Sequence, residues 1–250
     1  MRLSREERGA LRASFGKMRP AEKIDYLFTY YKLPIFLTLL ALVLLCSTVY
    51  SHLTKKEVVL YSAHVNVSAG DTLASRLDAD FITSIGGNPK RAEVRLYQGI
   101  YLSDSPSQED HQYSYASLLK VMSSIEGKEL DVVLMNREAY DIFSHNGYLL
   151  ELPGLLGEEP ALLPLVEPCL TANTVILEDN AIEYELGQAA RYEATTEEVV
   201  NAIDVSSFPL FIEAGFPDRV YLGVIANTPR LSAALQYIEY LAAPTVEAER

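Results

Sequence analysis

Tryptophan is absent from the chain, and only two cysteines, four histidines and four methionines occur in 250 residues. Two cysteines allow one bridge at most, and Cys46 lies inside an unbroken apolar run while Cys169 lies far outside it, so no disulfide framework is expected. His52, His64, His111 and His145 show neither an HExxH pattern nor an i, i+4 pair, which removes the usual zinc signatures. No GxSxG elbow presents a nucleophile, and the serines between Ser103 and Ser107 fall in a polar stretch where solvation is the simplest role. The Gly86-Gly87 pair has the spacing of neither phosphate-binding loop and follows a helical pattern, so it reads as a turn. Asp104, Glu109 and Asp110 lack the twelve-residue register of a calcium loop. No catalytic residue, metal or cofactor is assigned, and the chain reads as non-enzymatic.

Hydrophobic residues make up 49% of the chain and charged residues 22%, which excludes a wholly disordered protein. The formal charge of −13 is unevenly spread: residues 1–32 hold eight Lys/Arg against four Asp/Glu, and the remainder is strongly acidic. Nucleic-acid binding is excluded for the acidic part, since phosphate recognition needs clustered Lys and Arg. Between the two parts Leu33 to Tyr50 carries no charge over 18 residues, about 27 Å as a helix. Lys32 precedes it, Lys55 and Lys56 follow, and Tyr26, Tyr30, Tyr31 and Tyr50 stand near its ends. The pattern predicts a transmembrane helix over 33–52 in contact with the lipid bilayer, with Pro34 tolerated in its first turn.

The basic excess upstream sets the N-terminus in the cytoplasm and residues 53–250 outside it, a single-pass cell-membrane protein. A cleaved signal peptide competes with a retained anchor, but a 32-residue basic region is long for one. Leu45 before Cys46 does not suit lipidation. Within the cytoplasmic part, residues 1–32, a basic arm leads to an amphipathic helical pattern with Ile24, Leu27, Phe28 and Tyr31 on one face.

The outer part alternates element types. Val58 to Val67 reads as a strand, Asp71 to Ile85 as a helix through Leu73, Leu77 and Phe81, and Glu93 to Leu102 as a second strand. Tyr113 to Ile125 is helical, Leu130 to Asn136 is a compact strand, Arg137 to His145 is a helix stopped by Asn146-Gly147, and Tyr148 to Leu152 is a short return strand. Thr174 to Leu177 and Ala181 to Leu186 are expected to form a hairpin, and Thr195 to Glu198 has the form of a capping box before a short helix. Val220 to Ala226 and Pro229 to Leu241 close the chain as strand and helix. Helices between apolar strands imply crossovers, so the expected fold is α/β with a mostly parallel sheet and flanking helices.

The runs LDVVLMNREAYDIFSHNGYLLEL (Leu130 to Leu152) and VYLGVIANTPRLSAALQYIEYL (Val220 to Leu241) resemble strand and helix units of type 2 extracytoplasmic solute-binding proteins. Together with PAEKIDYLFTYYKLP (Pro20 to Pro34), they are similar to membrane-anchored proteins of Gram-positive gut bacteria. The resemblance implies a reduced periplasmic-binding-protein-like domain. Only 198 residues follow His52, and 153–219 offers little more than a hairpin and short helices, so a second lobe is expected to be small or absent. A pocket in an open α/β sheet lies at the strand C-termini, which makes His64, Asn66, Asn136 and Arg137 the candidate ligand-binding residues. The sixteen tyrosines, Tyr97 and Tyr101 among them, are read as packing residues. Two functions follow: a surface module binding a small solute or a protein partner, or a structural, accessory subunit joined to a membrane-protein partner.

Overall fold

The computed structural model describes residues 19, 32–104, 107 and 110–243. The basic arm and the amphipathic pattern ahead of Lys32 lie outside the described residues, as does Glu109. The chain divides into two compact units, Met1–Lys55 and Lys56–Arg250. In the first, helix α1 covers Lys32–Thr54 over 23 residues, about 34 Å. Its described apolar side chains, Phe36, Leu42 and Leu45 among them, are exposed. Thr38 and Thr48 turn their hydroxyls inward to the carbonyls of Pro34 and Leu44, each at 2.8 Å. Among the described residues no helix is long and apolar enough to cross a membrane.

The second unit carries its own core: among the described residues, every buried apolar residue falls between Leu60 and Leu241. Strand β1 (Glu57–Val65) leads to a helical segment in three parts, Asp71–Ser75, a π-turn Arg76–Asp80 and Phe81–Ser84, together α2. The π-turn has a sequence cause. Leu73, Leu77 and Phe81 are spaced by four, which drifts around an α-helix of 3.6 residues per turn, and a wider turn keeps all three buried. Then follow β2 (Ala92–Ile100), α3 (His111–Glu126), β3 (Val132–Met135) and α4 (Arg137–His145). Short helices α5 (Leu152–Gly157) and α6 (Leu163–Val166) lead to β4 (Leu170–Asp179), α7 (Ala181–Glu185), β5 (Ala194–Asp204), α8 (Pro209–Ala214), β6 (Tyr221–Val224) and α9 (Leu231–Ala242).

The six strands among the described residues belong to one sheet of order β2-β1-β3-β6-β5-β4. The expected mostly parallel sheet is corrected: β1 pairs in parallel with β2 and β3, whereas β3-β6, β6-β5 and β5-β4 are antiparallel. Connectivity explains the change. Helices α2 and α3 are true crossovers, but β5 and β6 are joined by a chain that leaves and returns at one end of the sheet, where Val205 N–H donates to Val220 C=O at 3.0 Å. Three local expectations change with it. Ala181–Glu185 is a helix at a hairpin tip instead of a strand. Thr195 to Glu198 pairs across to β4 instead of capping a helix. The return strand after α4 is a single bridge, Leu149 to Ile225.

One core cluster joins Leu60, Val132, Leu134, Leu222 and Val224 to α2, α5, α8 and α9. The other joins Ala63, Val65, Val133 and Met135 to Val121 and Ile125 of α3 and to Tyr140 and Phe143 of α4. The two crossovers therefore cover opposite faces, and the direction in which strands are added reverses between β1 and β3. A crevice is expected outside the carboxyl ends of those two strands.

Candidate functional site

At that reversal the chain leaves β1 through Asn66, whose φ of +57° places it in the left-handed region that asparagine tolerates better than most residues. Its side chain acts as one more rung of the sheet: Oδ1 accepts from Leu102 N–H at 2.9 Å and Nδ2 donates to Leu102 C=O at 2.6 Å. The same Nδ2 reaches Asn136 Oδ1 at 3.2 Å. Asn136 is the N-cap of α4, accepting from Ala139 N–H at 3.0 Å, so one pair of amides ties the ends of β1 and β3 to the helix that follows. In the first turn of α4, Glu138 accepts from the Ser103 hydroxyl at 2.6 Å and from Asp104 N–H at 3.3 Å. A carboxylate there also suits the positive end of the helix.

Beside this knot lies a cavity of about 230 Å³ lined by Asn66, Val67, Ser68, Gln98 to Tyr101 and Tyr113. Its rim is shaped by a bulge in β2, where the register advances three residues against two of β1 and Gly99 takes a φ of +68°. Tyr113 donates its hydroxyl to Gly99 C=O and stacks on Tyr101 at 6.4 Å.

The four sequence candidates separate. Asn66 and Asn136 are brought into contact. Arg137 turns away, pairing with Asp141 at 3.0 Å and lying 5.3 Å from the centre of the Tyr140 ring. Burial works against its charge, and Asp141 together with Tyr221 more than offsets that, so the guanidinium pKa is raised. His64 is 1% exposed inside the sheet, and among the described residues neither ring nitrogen has a hydrogen-bond partner. Burial lowers its pKa from 6.5 to about 4, so the ring is neutral at physiological pH. It cannot meet a solute in this arrangement.

Other features went unread in the sequence. A second, open groove of about 580 Å³ lies beside the start of β4, with Cys169, Thr171, Ser207 and the ion pair Arg219 to Asp204 at 3.3 Å along its wall. Asp131, fully buried, accepts from Tyr61 N–H at 2.8 Å and from the Thr228 hydroxyl at 2.5 Å, and pairs with Arg230 at 3.3 Å. Arg230 in turn lies 4.6 Å from the centre of the Tyr61 ring. The one sequence signal for this cluster was an acidic residue opening an otherwise apolar strand. Beyond the body of the sheet, the outer half of the β4–β5 hairpin exposes Leu177, Ile182, Tyr184, Leu186 and Tyr192. Among the described residues no group of three His, Cys, Asp or Glu is placed to hold a metal ion.

Comparison of the chain with protein-family models, curated proteins and solved structures yields no match.

Proposed function

We propose that this protein is a single-pass, membrane-anchored module whose α/β domain lies outside the cytoplasm and engages a protein partner, without catalysis. The observation that carries the partner reading is the undivided sheet: all six strands form one layer, and the chain between β3 and β6 extends that layer into a projecting hairpin. Small polar solutes are held tightly when enclosed on most sides. Here the polar groups at the strand ends are already bonded to one another, and the cavity beside them, about 230 Å³, falls below the roughly 300 to 1,000 Å³ common for ligand pockets. Exposed large apolar side chains gathered on one projection instead mark interaction surfaces.

The anchor rests on α1 and its sequence. The backbone is helical over 23 residues, no charge falls between Leu33 and Tyr50, and the hydroxyls of Thr38 and Thr48 are turned inward to backbone carbonyls. A helix that satisfies its own polar groups is the form a bilayer accepts. The basic excess in residues 1–32 supports a cytoplasmic N-terminus. The resemblance to a reduced type 2 solute-binding domain remains part of this proposal, with the ancestral pocket given over to structure.

A thermal-shift screen of residues 56–250 against sugars, amino acids and short peptides tests the partner reading. A solute at 100 times its dissociation constant stabilises by about 2.7 kcal/mol, so any such shift that Asn66→Ala removes would overturn it. Flat curves are the expected result. Protease digestion of intact cells tests the anchor: fragments are expected from residues 56–250, and cleavage confined to residues 1–32 would reverse the topology.

A further inference from the structure

The β4–β5 hairpin changes character along its length. Near the sheet body Val199 to Ile203 are buried or half-buried, whereas Leu177 to Asp179 and Ala194 to Glu198 are exposed throughout. The register slips between Ile176 and Glu178, so Leu177 is the unpaired residue of a bulge. Such a bulge re-aims a side chain out of the ladder. At the tip, α7 adds Ile182 at 71% exposure, with Tyr184 edge-on to Tyr192 at 6.4 Å and Leu186 at 66% exposure just beyond the helix.

The tip is preformed. Asn180 Oδ1 accepts from Glu193 N–H at 2.7 Å, Asn180 Nδ2 donates to Arg191 C=O at 3.0 Å, and the Tyr192 hydroxyl reaches Asp179 at 3.0 Å. Between 178 and 198 stand seven carboxylates against one cation, Arg191, which is paired with Glu193.

We propose that this projection is a docking arm for a basic protein segment with one apolar face. The inference rests on the partner reading above and names the partner's chemistry. Apolar residues displayed among uncompensated carboxylates fit a surface that supplies both hydrocarbon and cations. A second copy of the arm would set seven carboxylates against seven, and an anionic lipid surface would repel them as well.

The test uses the full chain in phosphatidylcholine nanodiscs and three synthetic helical peptides of about 18 residues that share a leucine face and carry Lys, Gln or Glu on the other. Fluorescence anisotropy is read between about 50 mM and 500 mM salt, with empty discs as background. The Lys peptide is expected to bind about tenfold more tightly than the Gln peptide at low salt and to lose that advantage at high salt. Its affinity is expected to fall about tenfold in Ile182→Ser/Leu186→Ser and in Glu183→Gln/Glu185→Gln, exposed changes checked for an unaltered thermal midpoint. Lys-peptide binding unchanged in both double variants would overturn the docking arm, since the peptide would then be responding to the acidity of the whole domain. Equal binding of Lys and Gln peptides, lost in the Ile182→Ser/Leu186→Ser variant, would overturn the basic partner while leaving the partner reading standing. No binding by any peptide would overturn both. Sedimentation of the chain as a dimer that Ile182→Ser dissociates would assign the arm to a second copy and also overturn the inference.

Discussion

Burial of His64 is expected to make the domain sensitive to mild acid. Well above pH 6.5 the ring is neutral in both the folded and the unfolded chain, and it contributes no pH dependence. Between pH 6.5 and about pH 4 the unfolded chain takes up a proton that the folded core refuses, because burial holds the folded pKa near 4. Stability therefore falls as pH falls through this window, by about 1.4 kcal/mol per pH unit and about 3 kcal/mol in all. At pH 5 the loss relative to pH 7 is about 2 kcal/mol, equivalent to a drop of about 5 °C in midpoint for a domain of this size. Urea unfolding of residues 56–250 at pH 7, 6 and 5 reads the slope directly, and His64→Leu supplies the control that subtracts the carboxylates. That variant loses two unpaired ring nitrogens, so at pH 7 it is expected to match or exceed the parent in stability. Parallel losses in parent and variant between pH 7 and pH 5 would refute the reasoning.

Two further substitutions probe the polar network. Asp131→Ala removes the acceptor for Tyr61 N–H and the Thr228 hydroxyl and strips Arg230 of its carboxylate, so chemical denaturation is expected to show a loss of about 3 kcal/mol, whereas a change under 1 kcal/mol would mean the cluster is solvated. At Asn66 both Ala and Gly lose the two bonds to Leu102, but glycine accepts the positive φ; Asn66→Gly is expected to be about 1 kcal/mol more stable than Asn66→Ala, and the reverse order in thermal melts would contradict the left-handed assignment.

What the sequence revealed was local. Arg137–His145 was legible to the residue because its bounds are local: the apolar strand ends at Asn136 and Asn146-Gly147 stops the helix. The hairpin was misplaced because Thr195-x-x-Glu198 satisfies a capping rule locally, while the partner that makes it a strand, Glu178 opposite Thr195, lies 17 residues away. The parallel expectation failed for a related reason: strand direction depends on where a connection returns, and periodicity is silent on that. At the site, the strand-end rule located Asn66 and Asn136 but not their occupation, which is set by Leu102, 36 residues after Asn66. His64 sat in a run, Leu60 to Val65, that is buried without alternation, so no pattern showed that its ring was enclosed.

The edge of the sheet gives a physical reason to treat the hairpin's exposed half as a surface in use and not as slack. Strand β4 is an edge, and an open edge invites pairing with other chains unless it is covered. Within the body it is covered: Ser144 donates to Thr174 C=O at 2.9 Å, Asn173 donates to Asp141 at 2.8 Å, and the Tyr140 hydroxyl lies 3.0 Å from Thr171 C=O. Asn201 joins the same set from β5, bonding Ser144 at 2.8 Å and Tyr140 at 2.8 Å. Helix α4 thus closes the edge up to Thr174. The bulge at Leu177 begins just beyond, and from there carboxylates, a recognised guard against edge pairing, take over while five large apolar side chains stay exposed among them. Carboxylates alone would suffice to keep such an edge monomeric. The apolar residues interleaved with them add nothing to that protection and are not buried in the core, and that combination is the ground for proposing the docking arm.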